Sequence, residues 1–446
     1  MIEAIQITIY FLSILLPGYL IFLMIIGQKN RKPGLADIFY SFGLGNLLIS
    51  LEFFIWIFLF RQRISLPIFH LFLAIQDLAM ILYIRKQKIF PKLPDLKQRV
   101  ALPKNISPFV LIMILLTLLN IVPLLTMALN KPVASYDSLV MWSLKTKALY
   151  YTGGISFDPE NTFYLGGGSH INYPWLIPLT QYWLHLNLGE YNDLHTKLIF
   201  VFYFLGLLSV FNSAVKDRLD PVKRSVFIFL LSSIPLIHYH GYNAYADLPL
   251  AFYVLVAFFF LFRYFENPNR KLLLLSGLFW AISFFTKDTA IFFILGAILI
   301  MTIRAIANKE RQAFKLIFYI VAPLLPWILF KLIYRLDVSN VGWQLGFHPE
   351  IWKHVLRSMF WLNNWNIWIF ALFVFALANL KSIISNRTKL YGWLWMAACF
   401  TGLITVYLFT ERYLYAVDYT AFSRNLIPLI PVSFFLTALL FERRTK

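Results

Sequence analysis

The sequence predicts an all-α polytopic membrane protein, a transmembrane bundle of about 13 spans, and three observations carry that expectation. Of 446 residues, 60% are hydrophobic and 14% charged, and mean hydropathy is +0.69, whereas soluble domains are about 45–50% apolar. Apolar stretches of membrane-spanning length recur along the chain, separated by short charged clusters. These stretches are continuous Leu, Ile and Phe runs without strict alternation. In lipid every backbone polar group must be satisfied internally, and unalternating runs favour helices over barrel strands.

In chain order, spans are expected near residues 2–26, 35–60, 64–84, 107–129, 194–214, 225–240, 247–265, 272–286, 289–306, 314–334, 364–380, 391–410 and 425–441. The first lacks a basic leader and is too long for a signal core, so a retained span is expected. Glu52 and Asp77 fall inside the second and third apolar runs, where an ionisable group is costly and therefore marks itself out. The basic loop 85–106 contains Pro94 and Pro103 and marks the expected division: a three-span N-terminal extension, 1–106, and a larger module, 107–446.

The segment Tyr173 to Gly189 is short and carries Gln181, His185 and Asn187. A full crossing there would also transfer every later basic loop to the opposite side. The expectation is an interfacial or re-entrant helix with Trp175, Tyr182 and Trp183 at headgroup depth.

A net charge of +19 would suggest nucleic acid in a soluble protein, but its distribution excludes that partner. Loops 27–34, 85–106, 216–224, 263–271, 304–315, 381–389 and 442–446 hold 27 of the 40 Lys and Arg and only six acids. This positive-inside asymmetry places the C-terminus inside and segments 130–191, 238–247, 335–363 and 411–424 outside. Those four segments hold six of the eight histidines, so chemistry is expected on the outer face. The single cysteine, Cys399, excludes an intrachain disulfide.

The first outer loop begins Ser135-Tyr136-Asp137-Ser138, just past the fourth span. Leu139, Met141, Trp142, Leu144 and Leu149 mixed with Lys145 and Lys147 suggest an amphipathic helix on the membrane. A carboxylate such as Asp137 at the rim of a membrane cavity can take a proton from an attacking hydroxyl; the plainer reading is a helix cap. Asp247, preceded by His238, His240, Tyr242 and Tyr245, fits an N-cap before Leu-Pro-Leu equally well. His170, His348 or His354 with Glu160 or Asp137 would suit a divalent metal by ligand type, although no fixed His spacing supports it. Trp343, Trp352 and Trp361 suit sugar stacking or, more ordinarily, an interfacial aromatic belt.

The order of motifs resembles a known family. An acid soon after a span is followed by the Lys-containing helix, by Gly153-Gly154, by Gly166-Gly167-Gly168, and by His170-x-x-Tyr173-Pro174-Trp175-Leu176-x-Pro178-Leu179. This is similar to the first outer loop of GT-C fold membrane glycosyltransferases, in the branch of protein O-mannosyltransferases and the lipid A aminoarabinose transferase. Tyr245-Ala246-Asp247-Leu248-Pro249, Phe285-Thr286-Lys287-Asp288 and Ser423-Arg424-Asn425-Leu426-Ile427-Pro428 resemble that branch's second acidic loop, its Thr-Lys helix end and its late Arg-x-Leu-x-Pro entry. The likeness covers roughly residues 107–441. It departs at Ser138, where many members carry a second acid.

The resemblance implies inverting transfer of a sugar from a polyprenyl-phosphate donor to a hydroxyl of a lipid, glycan or protein acceptor. It further implies a bacterial plasma membrane protein with its site on the outer, periplasmic face. Asp137 is then the expected base, and Lys287, Arg424 and Lys145 the expected phosphate ligands. Asp247, His170, Tyr173, His240 and Tyr245 are the expected acceptor contacts or supporting groups. A divalent metal ion would fall to Asp137, Glu160 and His348. Two rival classes are a polysaccharide polymerase or ligase, which usually places paired arginines in a large late outer loop, and a lipid-linked sugar flippase, which usually shows internal repeats.

Overall fold

A computed structural model describes residues 2–27, 33–60, 64–89, 106–156, 158, 160–161, 170–309, 312–336 and 344–442. The glycine run 166–168, Trp343, Pro94, Pro103 and the C-terminal basic residues lie outside them. Among the described residues the chain is a helical membrane bundle. Helices α1 (Ile2–Ile26), α2 (Leu35–Phe60), α3 (Leu66–Lys86) and α4 (Pro108–Asn130) lead. After the first long loop, with α5 (Leu144–Thr152) and α6 (Leu176–Leu188), come α7 (Leu198–Val215), α8 (Pro221–Ser232), α9 (Pro235–Gly241) and α10 (Asp247–Glu266). The remainder is α11 (Arg270–Thr286), α12 (Ala290–Asn308), α13 (Gln312–Ile333), α14 (Ile351–Phe360), α15 (Trp368–Ala378), α16 (Arg387–Phe409), α17 (Phe422–Leu426) and α18 (Leu429–Ala438).

Helix occupies all thirteen expected stretches. Among the described residues nine helices are long and apolar enough to cross a bilayer, and the bent pair α8–α9 would make a tenth. The stretches at α11, α15 and α17–α18 are helical but shorter. The 67° bend between α8 and α9 follows from Pro235, which has no backbone N–H to continue the ladder. Neighbours serve the freed groups: Asn366 Nδ2 donates to Ser233 O at 2.9 Å and Leu236 N to Asn364 O at 3.2 Å.

Described residues of the basic loops 216–224, 263–271 and 381–389 meet at one end of the bundle. Arg218 pairs with Glu442 at 2.5 Å and Glu266 at 2.6 Å, and Lys389 with Glu442 at 3.4 Å, tying together α7, α10, α16 and the chain's end. At the same end Lys271 Nζ donates to Ile26 O at 2.7 Å. Helix α10 runs through the centre with almost every residue buried. The leading helices pack into the same core: a Cβ on Gly18 would strike Ser41 O, and one on Gly45 would strike Ile14 O, so α1 and α2 meet backbone to backbone.

Helix α6 is too short for a full crossing, as expected. Its 13 residues make about 20 Å of helix, short of the roughly 30 Å needed to span. Within the protein it is deeply packed. Trp175, Tyr182 and Trp183 are at most 1% exposed because the helix is sunk among protein neighbours that bond several of its polar groups. Thr146 donates to Gln181 at 2.8 Å, His185 Nε2 lies 2.9 Å from Thr196, Asn187 Oδ1 lies 3.0 Å from His70, and Trp183 donates to Ser13 at 2.9 Å. The polar residues that read as surface signals are internal ties.

Candidate active site

At the end opposite the basic loops, four charged side chains from distant parts of the sequence meet. Asp137 precedes a single π-helical turn, Ser138–Ser143, that leads into α5. Asp247 opens α10, Lys287 closes α11 in an extended conformation, and Arg424 sits in α17. Arg424 is the hub. Its Nη1 lies 2.6 Å from Asp137 Oδ2, and its Nη2 and Nε donate to Asp247 Oδ2 at 3.0 and 3.2 Å. Lys287 Nζ donates to Asp247 Oδ1 at 2.6 Å and to Asn425 Oδ1 at 3.3 Å. Asn425 is held in turn by its bond to Tyr407 OH at 2.6 Å. Neither acid caps a helix through its side chain, so both carboxylates serve this network.

The fork of Arg424 explains why the residue is arginine: a planar guanidinium holds two carboxylates in fixed directions, which a lysine point charge cannot. The Tyr245 ring lies under the guanidinium, 4.4 Å from ring centre to Cζ, a cation–π contact. Burial disfavours the Arg424 charge, but Asp247 and Asp137 outweigh it and hold the group firmly protonated. Burial pulls Lys287 below the usual lysine range, with Asp247 opposing. Burial pushes the Tyr245 hydroxyl up to about 12, against the pull of Arg424. His240 is 1% exposed, with Nδ1 3.7 Å from Asp247 Oδ2; among the described residues neither ring nitrogen has a hydrogen-bond partner.

A cavity of about 500 Å³ opens over this network, walled by Tyr136, Asp137, Tyr239, Tyr245, Tyr419 and Arg424. Arg424 occupies one Asp137 oxygen. The other, Oδ1, has no hydrogen-bond partner among the described residues.

A second polar cluster adjoins the first. Lys145 is fully buried, donates to Tyr173 O at 3.3 Å, and lies 5.2 Å from the Trp175 ring centre. Burial, reinforced by Lys331 and opposed by Asp288, brings its ammonium down to about 7. Asp288 lies 4.0 Å from Lys331 Nζ. Burial lifts its carboxyl to about 6 against the pull of Lys331, Lys145 and Arg412. Tyr173 and His170 bridge the clusters electrostatically. Burial first, then Asp288, raises Tyr173 to about 12, and Asp137 acts on it too. Burial first, then Lys145, lowers His170, while Asp137 opposes. Consecutive residues Lys287 and Asp288 thus face different partners. The first cluster is balanced, two acids against two cations; the second sets Lys145, Lys331 and Arg412 around one acid and has the greater attraction for an anion.

The structure therefore brings together Asp137, Asp247, Lys287, Arg424, His240 and Tyr245, with Lys145, Tyr173 and His170 alongside. It does not bring in Glu160 or His348. Glu160 is exposed in the loop, and His348 stacks on Tyr413 at 3.7 Å with Glu350 3.3 Å from its Nδ1. Among the described residues no three His, Cys, Asp or Glu side chains form a metal-sized group: Asp137 pairs with Arg424, His348 with Tyr413 and Glu350, and Glu160 is exposed in the loop. His354 reaches the cavity wall indirectly, 3.0 Å from Tyr419 OH. Trp361 is 69% exposed and Trp352 45%; Lys147 lies 5.8 Å from the Tyr191 ring centre. Sequence reasoning assigned no role to Asp288, Lys331, Arg412 or Asn425. Lys331 carried one usable signal, a cation at the end of its span away from the basic loops.

Residues 198–334 match the model of the dolichyl-phosphate-mannose-protein mannosyltransferase family. No curated protein matches the sequence. Two crystal structures of ArnT, a lipid A aminoarabinose transferase, from Cupriavidus metallidurans share the fold. The apo form has a TM-score of 0.52 at 12% identity, over 73% of this chain and 59% of that one. The form bound to undecaprenyl phosphate has a TM-score of 0.51 at 14% identity, over 75% and 60%. The chain thus spans about 60% of the length of the ArnT chains it matches.

Proposed function

We propose that this chain, whose fold is the GT-C fold of ArnT, is an inverting membrane glycosyltransferase that uses a polyprenyl-phosphate sugar donor. The single observation that carries the reading is the Asp137–Arg424 pair, 2.6 Å apart, in a cavity at the end of the bundle away from the basic loops. By the charge asymmetry that end faces outward, the periplasmic side of a bacterial plasma membrane. The family match and the undecaprenyl phosphate bound by the ArnT relative support the donor class.

The acceptor hydroxyl enters the cavity beside Asp137. As its oxygen forms a bond to the anomeric carbon, its proton passes to Asp137 Oδ1, and the bond from that carbon to the phosphate oxygen breaks with its electron pair going to the phosphate. General-base catalysis of this kind contributes about 10²–10⁴ in rate. Lys145 and Lys331, with Arg412 nearby, receive the developing charge on the phosphate, since fixed cations aimed at developing charge stabilise a transition state. Arg424 and Lys287 have a double task. They hold Asp137 and Asp247 in place, and they serve as supplementary phosphate ligands, Arg424 from the cavity wall itself. His240 and Tyr245 line the cavity as acceptor contacts, with His170 and Tyr173 as supporting groups.

The test is turnover of undecaprenyl-phosphate-linked, radiolabelled sugar by purified protein supplied with membrane extract. Release of undecaprenyl phosphate together with label on a new acceptor, of opposite anomeric configuration, is the expected result. Label that crosses a liposome membrane with its lipid linkage intact, without release of the carrier, would replace this reading with transport.

A further inference from the structure

Beside the catalytic cavity lies a second one, of about 620 Å³, and Leu236, Tyr239, Leu362 and Asn364 line both. Its distinguishing walls are Asn120, Pro123, Ser233, His238, Tyr242 and Asn363. Among the described residues no Lys, Arg, Asp or Glu lines it. Amides, a serine, a histidine and two tyrosine rings do, the groups that bond hydroxyls and cover the flat apolar faces of a sugar ring. A phosphate or a charged peptide would find no counter-charge there.

The surroundings indicate how such a ligand arrives. One wall is α4, in which Leu124 and Ala128 are buried, while Leu119 and Val122 are 64% and 56% exposed and face the lipid. Asn120 is ten residues from the end of α4 at Asn130, about 15 Å of helix below the active-site end. The opposite wall is the bend between α8 and α9, held open by fixed contacts. Asn120 Nδ2 donates to Ser232 at 3.0 Å, His238 Nε2 lies 2.8 Å from Asn120 O, and Leu236 N donates to Asn364 O at 3.2 Å. The cavity thus has α4, with its exposed Leu119, as one wall, and through its shared residues it adjoins the cavity at Asp137.

We infer that this side cavity is the acceptor subsite and that it takes the uncharged sugar head of a glycolipid, which enters laterally with its acyl chains along the exposed face of α4. This rests on the glycosyltransferase reading for what happens next, but not for the binding itself.

The experiment is therefore a binding measurement without donor. Wild-type protein, Tyr242→Ala and Tyr242→Phe in phosphatidylcholine nanodiscs are titrated with glucosyl-diacylglycerol, and undecaprenyl phosphate binding is measured in parallel. The glycolipid is expected to bind the wild type saturably, at least tenfold more weakly to Tyr242→Ala, and near wild-type strength to Tyr242→Phe, which keeps the ring. Undecaprenyl phosphate binding is expected to be the same in all three, which also shows that the variants are folded. Equal glycolipid affinity in the three proteins would overturn the inference. So would competition by phosphatidylglycerol or a serine-rich peptide as effective as that of the glycolipid. If the glycolipid binds as expected but no sugar is transferred, the inference stands and the glycosyltransferase reading falls.

Discussion

Substituting Asp247→Asn is the sharpest test of how the site is held. Asp247 is 1% exposed and accepts from Lys287 at 2.6 Å and from Arg424 at 3.0 Å. In the variant Arg424 keeps Asp137, so the stranded charge is that of Lys287, left with only Asn425 Oδ1 at 3.3 Å. Breaking a buried ion pair from one side costs about 3–5 kcal/mol. Melting entropy scales at about 2.1 cal/mol/K per residue, which for this chain length makes 1 kcal/mol worth about 1 °C. The apparent melting temperature in detergent should therefore fall by about 3–5 °C at pH 6. Burial already pulls the Lys287 pKa down and Asp247 opposes that, so loss of Asp247 drops it further. Across the window between this depressed value and the ordinary lysine value, the unfolded chain binds more protons than the native one, so the variant gains stability relative to wild type as pH rises. The deficit should thus shrink toward pH 9, and Lys287→Met in the same chain should remove most of it. A deficit independent of pH, or one the second substitution deepens, would refute the reasoning.

Three further outcomes follow from the same geometry. Because Lys145 sits at about 7, it is charged below neutrality, so undecaprenyl phosphate affinity measured from pH 6 to 8.5 should fall as pH rises, and Lys145→Met should flatten that slope. Arg424→Lys keeps the charge but loses the fork that joins two carboxylates; turnover should fall by about 10²-fold, of the order found when a positioning contact is lost, with protein yield near wild type. Gly45→Val places a side chain against Ile14 O and should lower the melting temperature by about 1–3 °C or more by forcing α1 from α2, because overpacking costs about 1–3 kcal/mol or more.

The helical membrane class and the thirteen apolar stretches were legible because lipid imposes a compositional rule on every span. Asp137, Asp247, Lys287 and Arg424 were legible for a different reason: each lies where an apolar run ends, so a charged residue there stands out from its neighbours. Their mutual pairing was not. Asp247 and Arg424 are far apart in sequence, and nothing local says that one guanidinium bridges two acids. The burial of α6 was hidden for the same reason, since Asn187 and His70 or Gln181 and Thr146 satisfy each other only after folding. Residues Asp288 and Lys331 read as ordinary span-end charges until packing set them beside Lys145. Glu160 and His348 were grouped with Asp137 by ligand chemistry, and chemistry without proximity does not make a site.

The central claim is that Asp137 takes the acceptor's proton. Single-turnover transfer from an undecaprenyl-phosphate sugar, compared among wild type, Asp137→Asn and Asp137→Glu, measures it directly. The account predicts a loss of about 10²–10⁴-fold for the amide, partial activity for the longer acid, and unchanged donor affinity in both. Transfer by Asp137→Asn at a rate near wild type would contradict it.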